Sequence, residues 1–306
     1  MKTRFLTFSL LLLALGTFAQ QSSHVYLSGT RFTYPLIEKW IAEYSKTYPN
    51  ANIRLLTKTN DSVNVTIIAH YPEKSILDEN KDLVTVSRFA LLPVASEKNL
   101  LAQKTLKKGI KKEDLQKVFF EDAEDDLEQD KSQAHFQVYT RASKVCSSIT
   151  FAKYFGNDAD NIVGKGISGD DKHLLDAIRR DSLGITYNNL GFIYDLQTRS
   201  PLKGFSVIPI DLNSNGKLDK DEQIYENLDL LVSYLEKNPS AKSIPTEKVF
   251  FITPKNSNNQ ELKRFTAWVQ REGQAFSNKL GFISLGEVSD NKSAYLNIKS
   301  SSEPNK

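Results

Sequence analysis

The sequence predicts an α/β protein: the alternation of its segments carries that prediction, and its length and single Cys bound it. Short β-branched segments alternate with amphipathic helical ones, beginning with strand, helix, strand between Val25 and Thr57. The chain has 306 residues, 40% of them hydrophobic and 25% charged, which is more than one small core needs and implies one large domain or two lobes. It has a single Cys, Cys146, which excludes an internal disulfide framework, a thiolate zinc site and an iron–sulfur cluster. The 40 Lys and Arg stand against 37 Asp and Glu, and a formal net charge of +3 is too small for a nucleic-acid-binding face.

At the N-terminus, Lys2 and Arg4 precede an apolar run from Phe5 to Leu15, and Thr17-Phe18-Ala19 supplies small residues for cleavage. The expectation is a signal peptide over residues 1–19, leaving 287 residues with a net charge of +1. The run is short for a bilayer span and no Cys follows it to take a lipid. An extracytoplasmic monomer without a membrane span is expected.

Val25 to Leu27 reads as a strand, followed by the turn Ser28-Gly29-Thr30-Arg31-Phe32-Thr33. The helix from Tyr34 to Tyr48 places Leu36, Ile37, Trp40, Ile41 and Tyr44 on one face, between Pro35 and Pro49. Ile53 to Thr57, Val63 to Ala69 and Val84 to Ala95 are strand candidates. Lys-rich Lys104 to Lys117 gives way to Glu121 to Asp130, an acidic stretch read as a solvated loop. Phe136 to Thr140 is a strand leading to a helix from Lys144 to Phe155, and Asp170 to Arg180 is a helix capped by Ser168. Leu183 to Tyr187, Phe205 to Ile210 and Val249 to Thr253 are strands, Leu228 to Glu236 is helical, and a long helix is expected from Asn259 to Leu280.

The residues offer little for catalysis. The four His stand apart at 24, 70, 135 and 173, the Gly-x-Ser-x-Gly elbow is missing, and Cys146 has no His beside it in sequence. Cys146 reads as a packing residue and the chain as a non-enzyme. Gly164-Lys165-Gly166-Ile167-Ser168-Gly169 matches a dinucleotide fingerprint but lacks a convincing preceding strand and the acid about 20 residues on, so it reads as a turn.

The most specific motif runs from Asp211 to Glu222. Asp211, Asn213 and Asn215 offer side-chain oxygens, Gly216 permits a sharp turn, Lys217 offers its carbonyl, Asp219 can act through water, and Glu222 has two oxygens. This twelve-position pattern arises by chance in on the order of one in two thousand chains of this length. A structural Ca2+ is expected, in a strand–loop–helix setting.

Two Ser/Thr-rich helix starts suit an anion. Ser28 to Thr33 is one, with Arg31 adding charge, and Thr140-Arg141-Ala142-Ser143 with Ser147, Ser148 and Thr150 is the other. Each also reads as a capping cluster.

These segments carry a resemblance. Gly29-Thr30-Arg31-Phe32-Thr33-Tyr34-Pro35 through Lys39-Trp40 resembles the opening loop and first helix of the solute-binding proteins of phosphate transport. Arg88 to Ser96 resembles their first crossover strand, the Leu106 to Phe119 region the following helix, and Gly184 to Phe192 their Gly-x-Tyr segment. Val249 to Thr253 resembles the returning crossover, and Glu272-Gly273-Gln274 with Gly281-Phe282-Ile283 the terminal helix and tail. The resemblance implies a two-lobed type II periplasmic-binding-protein fold, each lobe a central mixed sheet flanked by helices, joined by two crossover strands. It implies lobes at 20–96 plus 248–306 and at 97–247. It also implies capture of a small oxyanion, phosphate first, for an ABC-type transporter. The anion would be held by Thr30, Arg31, Phe32, Arg141, Ser143, Ser147 and Ser148, with His70 near the place of the family's proton-accepting acid. Where the family has Ser-Gly-Thr after its Arg, this chain has Val145-Cys146-Ser147. That departure favours a second reading, an envelope accessory protein that keeps the fold without the solute.

Overall fold

The computed structural model describes residues 24–286 apart from 59, 61, 122–135 and 241. The expected signal peptide and most of the acidic stretch lie outside the described residues. Strand β1 (Val25–Gly29) enters a 3-10 turn at Arg31–Thr33 and then helix α1 (Tyr34–Thr47). Strands β2 (Ile53–Leu55), β3 (Val65–Ile68) and the 16-residue β4 (Lys81–Ser96) follow. Helices α2 (Leu100–Lys108) and α3 (Lys112–Phe120) precede β5 (Gln137–Arg141), α4 (Cys146–Tyr154), β6 (Lys165–Ile167) and α5 (Asp171–Arg180). The chain continues through β7 (Gly184–Asn189), α6 (Leu190–Ile193), β8 (Phe205–Val207), α7 (Leu228–Lys237), β9 (Thr246–Pro254) and α8 (Gln260–Gln270).

The strands form one mixed sheet in the order β2-β1-β3-β9-β4-β7-β5-β6, with β8 also on β4. Two strands make it a two-part structure. Strand β4 pairs antiparallel with β9 from Lys81 to Ala90, with an irregularity between Thr85 and Ser87, and then with β7 from Leu91 to Ala95. The chain therefore crosses from one half to the other on β4 and returns on β9, as the two crossover strands expected. On the first half, Trp40, Tyr44, Phe251 and Phe265 are buried with edge-on ring contacts such as Tyr44 to Phe265 at 5.2 Å. On the second, Phe151 stacks on Tyr187 at 4.3 Å and meets Phe119 edge-on at 4.7 Å.

Several local expectations change: the Gly164 to Gly169 turn contains β6, the Leu106 to Phe119 helix is divided between α2 and α3, and two further elements differ. The long helix from Asn259 stops at Gln270 and becomes two 3-10 turns, Glu272–Phe276 and Asn278–Leu280. The reason is a close crossing: the Trp40 indole donates to the Gly273 carbonyl at 2.7 Å, and a Cβ on Gly273 would lie 3.2 Å from both Trp40 and Trp268. The cap of α5 is Asp170, not Ser168; its carboxylate accepts from the Lys172 N–H at 3.0 Å, while its own N–H donates to His173 Nδ1 at 2.9 Å.

Gly29 closes β1 with φ +143°, and a Cβ there would run into the Ile67 carbonyl. The same carbonyl accepts from the Thr30 N–H at 3.0 Å. The Gly-Thr turn is thereby pressed onto β3, which aims the start of α1 at the seam between the two halves of the sheet.

Candidate functional site in the inter-lobe cleft

A cavity of about 930 Å³ opens where β1, β3 and the first turn of α1 face the N-termini of α4 and α5. Thr30, Arg31, Phe32, His70, Arg141 and Ser147, all expected from sequence, line it. Ser143 and Ser148 do not. Ser143 is exposed beyond the lining, and the buried Ser148 hydroxyl is spent on its own helix, accepting from the Val145 N–H at 3.0 Å and donating to the Val145 carbonyl at 2.9 Å. Phe32 is 5% exposed, its ring packed against Phe89 at 4.8 Å. The Thr30 hydroxyl donates to the Ile67 carbonyl at 3.2 Å and meets the Cys146 thiol at 3.1 Å.

The strongest polar group is Arg141, at the end of β5. Its side chain is 9% exposed; Nη1 donates to Asp171 Oδ1 at 2.8 Å and Nη2 to the Gly169 carbonyl. Nε is buried with no hydrogen-bond partner. A buried guanidinium N–H left unpaired costs free energy.

Sequence reasoning missed Asp171, the first residue of α5. It is 5% exposed, lines the cavity, and accepts from the Ser147 hydroxyl at 3.0 Å as well as from Arg141. Burial pushes its carboxyl above the usual range, against the opposing pull of Arg141 and Ser147. Asn188 fixes the backbone beneath it, Nδ2 donating to the Asp171 carbonyl at 2.7 Å. The cluster Arg141–Asp171–Ser147 thus joins the ends of β5, α5 and α4.

Cys146 also acquires a partner that its sequence neighbours do not include. His70 Nδ1 lies 3.1 Å from its sulfur. Burial pushes the thiol up and the imidazole down, which holds both groups neutral. The thiol on α4 therefore meets two segments of the other half of the sheet, the turn after β1 and the loop after β3.

The loop from Asp211 to Glu222 lies apart from this cleft. Asp211 and Glu222 are each 2% exposed. The Asp211 carboxylate accepts from the Asn215 N–H at 3.3 Å and the Gly216 N–H at 2.7 Å, and Glu222 accepts from the Leu212, Asn213 and Asp219 N–H groups at 2.7, 3.1 and 2.9 Å. Asn213 and Asn215 donate to Asp219 Oδ2 at 3.1 and 2.6 Å and hold that carboxyl below its usual range. Gly216 takes φ +83°, as the turn requires. Among the described residues no three His, Cys, Asp or Glu side chains converge as a metal-holding group, and these carboxylates face backbone and amide N–H groups. The side chains at positions 211, 213, 215, 219 and 222 are nonetheless all oxygen-bearing and drawn into one loop, which fits a hard cation.

No family model matches the sequence, and no curated protein matches it. Solved structures do. A putative phosphate ABC transporter substrate-binding protein from Clostridium perfringens, with bound phosphate, superposes with a TM-score of 0.64 at 13% identity, over 86% of this chain and all of that one. An ABC-type phosphate transport receptor from Vibrio cholerae gives 0.58 at 10% identity, over 85% and 99%. A possible phosphate binding protein from Planctomyces limnophilus gives 0.51 at 11% identity, over 86% and 93%. The chain has the two-lobed fold of periplasmic solute-binding proteins.

Proposed function

We propose that this chain is an exported solute-binding protein whose lobes, 20–96 with 248–306 and 97–247, close on a small oxyanion, phosphate first, and deliver it to an ABC-type transporter. The observation that carries this reading is Arg141, buried at the cavity wall with an unpartnered Nε. The starts of α4 and α5 add N–H groups and the positive ends of two helices. Capture breaks no bond, so the chain works as a binder and not as an enzyme.

Asp171 gives the site a preference. Its carboxylate, which accepts from Arg141 and Ser147, would also accept a hydrogen bond from a partly protonated oxyanion and repel a fully ionised one. Phosphate is protonated near neutral pH and sulfate is not. The accessory-protein reading would be favoured by a seam filled with bulky side chains; here Phe32 packs against Phe89 and a cavity remains.

Export by cleavage after Ala19 puts the mature chain outside the cytoplasm as a monomer; among the described residues no helix is long and apolar enough to cross a membrane. A Ca2+ held by Asp211, Asn213, Asn215, the Lys217 carbonyl, Asp219 and Glu222 would staple the loop before α7. Isothermal calorimetry with phosphate, sulfate and other oxyanions tests the main reading: phosphate should bind, and heat from none of them would refute it.

A further inference from the structure

We propose that the cleft takes an organic phosphate, a phosphomonoester with an apolar substituent, in preference to inorganic phosphate. The proposal rests on the oxyanion reading above and names the class of anion. A bare tetrahedral oxyanion fills the space of a few waters, on the order of 100 Å³. The cavity is about 930 Å³, the size that encloses a drug-sized ligand. The lobes touch beside this room: the Cys146 thiol meets Thr30 and His70 across the seam, at 3.1 Å each.

The lining divides by chemistry. One polar cluster stands on the wall, Arg141 and Ser147 both bonded to Asp171. Much of the remaining wall is apolar, with Pro35, Ile76, Val145 and Phe192 all reaching the cavity. Ile76 is 41% exposed, one of few large apolar side chains so open to water among the described residues, and a ligand's apolar part would cover it. Phe192 is half-buried and presents a ring whose face carries the Lys172 ammonium at 5.0 Å, a setting suited to an aromatic substituent.

Charge limits the head group. Arg31, Lys58, Arg141 and Lys172 line the cavity against Glu38, Asp170 and Asp171, a surplus of one positive charge. That suits one phosphoryl group and disfavours a polyphosphate.

The test is calorimetry on the full chain with phenyl phosphate and inorganic phosphate as probes. Phenyl phosphate should bind at least about tenfold tighter, from the apolar area its ring removes from water. Ile76→Ser and Phe192→Ala should each weaken phenyl phosphate more than inorganic phosphate, shrinking that ratio. Inorganic phosphate binding as tightly as the ester, or a ratio that neither substitution alters, overturns the proposal and leaves the oxyanion reading standing. Binding of neither probe overturns both.

Discussion

Cys146 and His70, 76 positions apart in sequence, meet with sulfur and Nδ1 3.1 Å apart, across the seam between the two halves of the sheet. Because burial disfavours the thiolate, the folded thiol should resist alkylation. Iodoacetamide at pH 8 should react at least about tenfold more slowly with native protein than with the urea-unfolded chain, followed by intact mass. Once carboxamidomethylated, the sulfur no longer fits against Thr30, and phosphate binding should fall sharply, whereas Cys146→Ser should retain it. Equal rates in folded and unfolded protein would contradict the buried, neutral pair.

His70 also sets a pH dependence. Its pKa in the folded protein is lowered by burial; Glu247 and Glu73 oppose that shift and Lys153 reinforces it, with Cys146 in contact. The unfolded chain then binds a proton at higher pH than the folded one, near 6.5. Stability from this group is present above pH 6.5 and is lost as pH falls through the lowered value. Thermal melts should show Tm dropping as pH is taken from 7 toward 5, and His70→Gln should flatten that slope. An unchanged slope in the variant would assign the effect elsewhere.

The Arg141–Asp171 pair makes the sharpest mutational contrast. Arg141→Met leaves a buried carboxylate uncompensated and should cost about 3–5 kcal/mol in urea unfolding along with loss of oxyanion binding. Asp171→Asn keeps the geometry and frees the guanidinium's charge, so sulfate affinity should rise relative to phosphate in calorimetry. An Asp171→Asn protein with unaltered phosphate-to-sulfate selectivity would remove Asp171 from the recognition role.

Much of this architecture is legible in the chain because its signals are local. The face Leu36, Ile37, Trp40, Tyr44 forecasts α1, and the apolar stretch Val84 to Ala95 forecasts the strand β4, whose crossover role is implied by the family resemblance of Arg88 to Ser96. The end of α8 is not legible, since the apolar period continues past Gln270 and only the docking of Trp40 on Gly273 breaks it. Asp171 escapes notice for a different reason: an acid in the first turn of a helix is ordinary dipole complement, and only topology sets it beside Arg141 and Ser147. The same holds for His70 and Cys146, which β3 and α4 bring together.

Gly29 is a further point where the backbone tolerates one residue. Its φ of +143° and the Ile67 carbonyl facing the missing Cβ mean that Gly29→Ala must push β1 off β3. The substitution should cost on the order of 2–4 kcal/mol in urea unfolding and displace the turn that carries Thr30. A cost below about 1 kcal/mol would show that this close approach is relaxed in solution.

The loop at Asp211 to Glu222 is the place where ion removal is informative. Its carboxylates accept backbone N–H groups, so the loop holds a defined shape through Asp211 and Glu222 even before an ion is considered. A Ca2+ bound to the native state alone stabilises by mass action, about 2.7 kcal/mol at a hundred times its Kd. For a chain of this size that is a Tm rise of about 4–5 °C between chelator and millimolar Ca2+. Asp211→Ala should abolish the calcium-dependent rise. It should also lower the chelator baseline, because the Asn215 and Gly216 N–H groups lose their acceptor. A wild-type melt insensitive to calcium, with Asp211→Ala lowering Tm equally in both buffers, would mean that hydrogen bonds alone close the loop.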